Sequence, residues 1–364
     1  IWGQLDIPAS YGSWTTGIEV YRDNVDSFRA DYNADGSLRG TRIQGPVADD
    51  ATYTTADVFL QNQTMFGDHG LLVTGVRYTR ASADADAVQD PLTGEQTSIS
   101  DSWNNLTGSV RYSHSVGERT LFAGISQGFR APNLSDLTRY DSARSNEIET
   151  PVSGLEPEQF LSYELGVKFD KDKWSAQLAA FHTSINDLVI RTPTGRVIDD
   201  DNEVTKRNSG SGGIDGIELQ ATVNLNDDWS IFGNLTWVDG EVDTYPDSST
   251  NVVSEPLDRL MPLRAFIGLS WRPLGDRYWF EALVSSAAEQ DKLSTRDAAD
   301  TDRIPPGGTP GYAILSLRGG WLATRDLRVS FAAENVFDKD YRVHGSGLNE
   351  PGRNLVVTLQ HQFR

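Results

Sequence analysis

Residues 158–170 alternate strictly, with Leu161, Tyr163, Leu165, Val167 and Phe169 on one side of an extended chain and Ser162, Glu164, Gly166, Lys168 and Asp170 on the other. A period of two belongs to a β-strand with one apolar and one polar face, whereas a helix would return its apolar residues every three or four positions. The same alternation runs through 104–114, where Leu106, Gly108, Val110 and Tyr112 oppose Thr107, Ser109 and Arg111. It recurs in 214–223, where Ile217, Leu219, Ala221 and Val223 oppose Gly216, Glu218, Gln220 and Thr222.

Extended along the chain, this pattern predicts about 14 strands. They lie near 13–29, 51–64, 71–84, 103–116, 120–132, 158–170, 174–190, 204–224, 229–243, 260–273, 278–292, 311–323, 327–343 and 353–363. Six connections are tight: Gly67–Gly70, Val116–Arg119, Asp170–Lys173, Leu225–Asp228, Leu274–Arg277 and Ala323–Asp326. The others are longer, and short and long alternate without exception. These features define an all-β chain, a transmembrane antiparallel β-barrel with its apolar face in lipid, short periplasmic turns and long extracellular loops.

Composition changes the picture less than it first suggests. With 38% hydrophobic residues the chain has the make-up of a soluble protein, and no run approaches the roughly 18 apolar residues of a membrane helix. A barrel, however, needs apolar residues only at every second strand position. Nine Trp and an aromatic content of 10% fit interfacial girdles, although a sandwich or propeller would accommodate them too. The absence of cysteine argues against a disulfide scaffold, a structural zinc site and a thiol nucleophile. All fifteen prolines fall in expected connections or strand ends.

A formal charge of −20 leaves no basic stripe for phosphates, so nucleic acid is not an expected partner. Much of the acid sits in loops, at Asp84, Asp86, Asp90 and Asp199–Asp201, as on a solvated surface. The chain opens at Ile1-Trp2 without a positively charged or apolar leader, which reads as a mature terminus or an internal start, the latter favoured because residues 1–12 are expected to run directly into the first strand.

At Gly128-Phe129-Arg130-Ala131-Pro132-Asn133-Leu134 the sequence resembles the "FRAP" box of TonB-dependent outer-membrane receptors, and Leu155-Glu-Pro-Glu158 is similar to the segment that follows it. Residues 181–190, the stretch from Asn208 to Gly216-Ile-Glu218, and Glu334–Tyr341 with Pro351-Gly-Arg353 resemble further family segments, in family order. The last strand, in which Leu355, Val357, Leu359, His361 and Phe363 alternate with polar and small residues, resembles a barrel-assembly signal, although Arg364 follows the final aromatic. The resemblance implies a barrel of about 22 strands around a plug. Residues 1–364 would then be the C-terminal portion of the barrel, without the plug. It further implies import of a scarce chelate, most simply a ferric siderophore, with haem or cobalamin as alternatives, in partnership with the TonB complex and outer-membrane lipid.

In haem-importing relatives a histidine in the loop corresponding to 133–157 binds iron; this loop has none. It offers Arg139, Tyr140 and Arg144, which suit an anionic chelate through guanidinium forks and aromatic contact, although they also suit an ordinary polar loop. Of the five histidines, His344 in Arg342–Gly347 is the one expected to meet a ligand. Asp31, Asn33 and Asp35, followed by Gly36, match the first half of a calcium loop, but position twelve is Arg42 in place of a bidentate Glu, and a turn stabilised by Asx side chains is the competing reading. No cofactor is required. Gly210-Ser-Gly212 lacks the context of a dinucleotide site, and no nucleophile elbow, zincin helix or P-loop is present, so no enzyme is expected. Lumen-facing Arg77, Arg111, Glu164 and Glu218 are expected to pair with one another or with a plug. Two further readings remain, a passive channel complete in these strands and an extracellular β-rich binding module.

Overall fold

The computed structural model of the protein describes residues 1–143, 146–273, 275 and 277–363. Its strands are β1 (Trp2–Ala9), β2 (Gly12–Val25), β3 (Arg29–Tyr32), β4 (Leu38–Arg42), β5 (Asp49–Phe66), β6 (Gly70–Gln89), β7 (Gln96–Val116) and β8 (Arg119–Arg130). After helix α1 (Leu134–Thr138) come β9 (Asp141–Ser142), β10 (Glu147–Thr150), β11 (Glu158–Lys171), β12 (Trp174–Ile198), β13 (Asp201–Asn224), β14 (Trp229–Thr244), β15 (Val253–Pro256), β16 (Arg264–Trp271) and β17 (Tyr278–Ala287). Helix α2 (Thr295–Ala299), β18 (Tyr312–Leu322), β19 (Leu327–Glu334) and β20 (Asn354–His361) complete the chain.

One antiparallel wall runs in the order β1-β2-β5-β6-β7-β8-β11-β12-β13-β14-β16-β17-β18-β19-β20. Each strand expected from the alternation has its counterpart. Residues 2–9 add one more, pairing with β2 from Trp2↔Glu19 to Ala9↔Gly12, so the expectation that 1–12 lead straight into the first strand is corrected. Outside the wall, β3 and β4 form a separate hairpin and β15 pairs with β14. β10 lies parallel to β13 beyond the point where β14 has ended, and β9 joins β10.

β12 and β13 have 25 and 24 residues, whereas a tilted strand crosses the hydrocarbon with about 9–11. Their joined ends therefore project well past the apolar belt, on the side of the long loops. Pro193 lies inside this extension, paired with Val204 at a register shift, so it is not confined to a connection as expected. A bulge is where a strand tolerates a missing N–H donor.

The two faces follow the alternation. On the outer face Leu165 is 65% exposed, and Leu106, Val110, Leu178, Ile217, Leu219 and Trp237 are also open. On the inner face a row of aromatic rings lies over glycines of neighbouring strands: Phe59 over Gly17, Phe122 over Gly166, Phe181 over Gly216, Phe232 over Gly268 and Trp279 over Gly320. A side chain at these glycines would occupy the ring's place; at Gly268 an added Cβ would stand 2.5 Å from Phe232 Cζ. Guanidinium and ammonium groups cap several rings, with Arg111 4.5 Å and Lys168 5.6 Å from the centre of Phe122. Of the anticipated inner-face pairs Arg111 reaches Glu164 at 3.5 Å, while Arg77 takes other acids of the wall, Glu19 at 2.8 Å and Asp57 at 2.9 Å. Glu218 lines the same cleft as Arg111 and Glu164.

The buried core sits at the long-loop end of this inner face. Leu134 and Leu137 of α1, with Leu155, pack on Ala51, Ala81, Ala83, Ala85 and Trp103 of β5–β7. The alternating alanines of β6 leave room for the loop backbone, and Trp103 Nε1 donates to the Leu155 carbonyl at 2.6 Å. Loop 131–157 is thus folded back against the wall.

Candidate functional site

Four of the segments that carry the family resemblance, at 128–134, 155–158, 181–190 and Asn208, meet at one knot beneath this loop, whereas Glu334–Tyr341 and Pro351–Arg353 bond to each other elsewhere. β8 ends on Arg130, whose Nε and Nη2 each donate to a Glu158 oxygen at 2.6 Å while Nη1 donates to Asp136 at 2.6 Å. Pro132 is fully buried, and Asn133 caps α1, its side chain accepting from the Asp136 N–H as the Asp136 carboxylate accepts from the Asn133 N–H. Glu158 also accepts the Val189 N–H at 2.9 Å. Asn208 accepts from the Glu156 N–H at 2.8 Å and donates to the carbonyls of Glu156 and Asp187, both at 2.7 Å. Asp187 stands at the β12 bulge with φ 55. Arg130, Glu158 and Asn208 therefore stitch three chain segments together, while Phe129 stays in the ladder opposite Gln159 and Ala131 packs at the margin of the core.

Beside the knot is a concentration of charge. Glu149 of β10 is 1% exposed. Arg191 Nε lies 3.0 Å and Arg139 Nε 3.7 Å from its Oε2, and Lys206 Nζ lies 3.8 Å from its Oε1. Arg191 and Lys206 are cross-strand partners in the projecting part of β12 and β13, which places them together. Of the loop residues singled out in the sequence, Arg139 is thus part of a cluster and also approaches Asp141 at 3.7 Å. Tyr140 is half-buried, its N–H donating to the Pro46 carbonyl at 3.2 Å, and burial raises its phenol above the ordinary value. Arg144 lies outside the described residues. Arg191, Lys206 and Glu149 were not singled out, because nothing local marks a strand residue that acquires its partner from a distant loop.

His344 is not at a ligand-facing surface: it is 6% exposed, and its Nδ1 makes a 2.9 Å hydrogen bond with Thr309 Oγ1. Burial lowers its basicity, against the opposing influence of nearby Asp297. Ser294, Asp297, Ile304 and Thr309 of the loop joining β17 to β18 are buried as well, and Thr309 ties that loop to His344 in the loop joining β19 to β20.

The three residues of the calcium-like stretch do not converge. Asp31 is taken by Arg42 at 2.9 Å and Arg29 at 3.0 Å, and these hydrogen bonds, Arg42's first, hold its carboxyl below the usual range. Asn33 donates to Ser37 Oγ at 2.9 Å, and Asp35 accepts from the Ser37 N–H at 2.9 Å. Arg42, standing at position twelve, ties the hairpin through a salt bridge, and the donor set does not fit a cation.

An antiparallel wall with an apolar exterior, a polar and aromatic interior and a loop folded back against that interior defines the wall of a membrane β-barrel. The family described as TonB dependent receptor-like, beta-barrel matches residues 2–336, and the chain belongs to that family. The chain is similar to the ferric enterobactin receptor PirA of Pseudomonas aeruginosa, 25% identical over 286 residues that are 71% of this chain and 37% of that protein. It is also similar to the heme/hemopexin utilization protein C of Haemophilus influenzae, 22% identical over 97% of this chain and 49% of that protein. The chain spans half or less of the length of these relatives. Among solved structures, the copper transporter OprC superposes with a TM-score of 0.77 at 19% identity, covering 100% of this chain and 56% of that one. That likeness shows the fold.

Proposed function

We propose that this chain is the C-terminal portion of a barrel in the bacterial outer membrane that imports a ferric siderophore with energy from the TonB complex. A plug and further barrel strands would complete it. The observation that carries the reading is the gathering of Arg139, Arg191 and Lys206 at the long-loop end of the inner face, where an arriving anionic chelate would first meet the protein. Guanidinium and ammonium groups held in a partly desolvated mouth give charge-assisted hydrogen bonds of roughly 1.5–3 kcal/mol each. Family membership supports uptake, and the likeness to PirA, a ferric enterobactin receptor, supports the chelate class.

A haem receptor is the second reading, favoured by the likeness to the heme/hemopexin protein across 97% of this chain. Against it stand a 133–157 loop without histidine and a His344 buried against Thr309. The two are separated by titrating the full-length receptor with haemin and with a panel of ferric siderophores. Arg139→Ala combined with Arg191→Ala is expected to weaken binding of anionic ferric chelates at least tenfold, about 1.4 kcal/mol or more. His344→Ala should leave it unchanged. Haemin binding that is lost in His344→Ala and retained in the arginine variant would overturn the siderophore reading.

A further inference from the structure

Four buried carboxylates lie within the same loop-and-wall contact; Glu147 accepts from Ser248 Oγ at 2.7 Å, and the other three are built differently from one another. Glu158 receives two 2.6 Å hydrogen bonds from Arg130 and one from the Val189 N–H. Glu203 receives a two-pronged contact from Arg196, at 2.6 and 2.7 Å, with the hydroxyls of Thr150 and Thr194. Glu149, equally buried and nearest to Arg191, Arg139 and Lys206, receives no hydrogen bond on either oxygen among the described residues. Glu158 and Glu203 are anchors. Glu149 is held by unaligned charge attraction, which leaves the cost of burying its oxygens largely uncompensated. An anion whose oxygens met these donors in line would be a better occupant of the same place.

We propose that Glu149 is a tethered stand-in for the anionic part of the cargo: it occupies the Arg139–Arg191–Lys206 site and latches β10 to β13, and an incoming anion displaces it and frees the loop. The proposal rests on the ferric-chelate reading and adds a gate to it. Two features make displacement feasible. Arg191 and Lys206 also border a cavity of about 230 Å³ that Arg296 shares and Glu149 does not line; the cavity's two carboxylates are already engaged, Glu255 by Thr295 and Asp258 by Arg296, so an anion can reach the cations there. That volume is below the roughly 300–1,000 Å³ of a site for a whole drug-sized ligand, so it suits one anionic arm. The latch itself is a four-residue parallel strand, Glu147–Thr150, joined to the end of β13. A short peripheral ladder of this kind opens at low cost compared with the wall behind it.

The test uses the full-length receptor and its Glu149→Gln and Glu149→Ala variants, with a ferric tris-catecholate as anionic probe, a neutral ferric tris-hydroxamate as control and inorganic pyrophosphate as a small anion. Amide exchange at 147–150 is expected to rise about tenfold in both variants without any probe. In the wild type it should rise on adding pyrophosphate. Glu149→Gln should bind the tris-catecholate about tenfold more tightly and the hydroxamate unchanged. Exchange at 147–150 that is the same in wild type and both variants, or tris-catecholate binding weakened by Glu149→Gln, overturns the latch. If neither chelate binds the wild type while exchange behaves as stated, the latch stands and the cargo reading falls. If the tris-catecholate binds but exchange does not respond to either variant, the cargo reading stands and the latch falls.

Discussion

Arg130 answers two acids at once, and the placement of loop 131–157 depends on both. Glu158 and Asp136 are well shielded, with side-chain exposures of 4% and 12%, so removing the guanidinium would leave carboxylates that water cannot fully compensate. Breaking such a pair from one side costs about 3–5 kcal/mol, and the partial exposure of Arg130 places this case at the low end. Arg130→Ala is therefore expected to speed amide exchange throughout 131–157 by about a hundredfold, with Arg130→Lys intermediate because an ammonium cannot bridge both oxygens of Glu158. Unchanged exchange in Arg130→Ala would show that the apolar contacts of Leu134, Leu137 and Leu155 hold the loop without it. His344 gives the same scale a pH dependence. Its burial, with Asp297 and Arg259 as the charged groups facing it, lowers its pKa below the ordinary value near 6.5. The opened cap takes up a proton more readily than the closed one, so stability is complete above about pH 6.5 and falls as pH drops toward the lower, closed-state value. Exchange in 288–311 and 341–349 should thus accelerate between pH 7.5 and 5.5 beyond the intrinsic rate. His344→Phe should abolish that difference, and a difference that persists in the variant would assign it to other groups.

The strands were legible because each carries its own evidence: a period of two reports a wall with one dry face whatever its neighbours do. Residues 2–9 escaped because Trp2, Gln4 and Asp6 share one face and Gly3, Leu5 and Ile7 the other, a short alternation closed by Pro8 and open on both faces. The expected strand at 327–343 ends at Glu334, where Asn335 turns at φ 47 and its side chain donates to the Lys339 carbonyl at 2.8 Å. The charge cluster was half legible. Arg139 could be named from its loop, but Glu149 gains its meaning from a parallel pairing with residues more than fifty positions away, and local pattern carries no trace of such a partner. A trace of the folded-in loop does exist in the alanines at 81, 83 and 85, since small side chains on alternate positions of a polar wall mark a close approach. The face assignment itself can be tested at the level of one element. Leu165 is on the open outer face of β11, where an arginine costs roughly 2–4 kcal/mol near the bilayer midplane, whereas Lys168 stands on the inner face beside Phe122. Leu165→Arg should sharply lower the assembled fraction in membranes and Lys168→Ala should hardly change it. Equal yields would invert or remove the lipid face.

At the scale of the whole molecule, the wall is an arc with two edges: among the described residues β1 pairs only with β2, and β20 only with β19. Both edge strands are exposed along their entire length. In water an unpaired strand edge is an invitation to aggregate, but at membrane depth it is also a row of N–H and C=O groups without partners, each costing several kcal/mol. On the receptor reading proposed above, further strands would close these edges, as a barrel of about 22 strands would supply. The passive-channel reading requires instead that β1 and β20 close on each other. This chain alone, refolded in detergent, is therefore expected to run without heat modifiability and as mixed oligomers. Co-refolding with the strands that the receptor reading places before it should restore a compact, heat-modifiable species. A compact heat-modifiable monomer from the isolated chain would mean that the two edges do meet, and would favour a self-contained channel over an arc of a larger receptor.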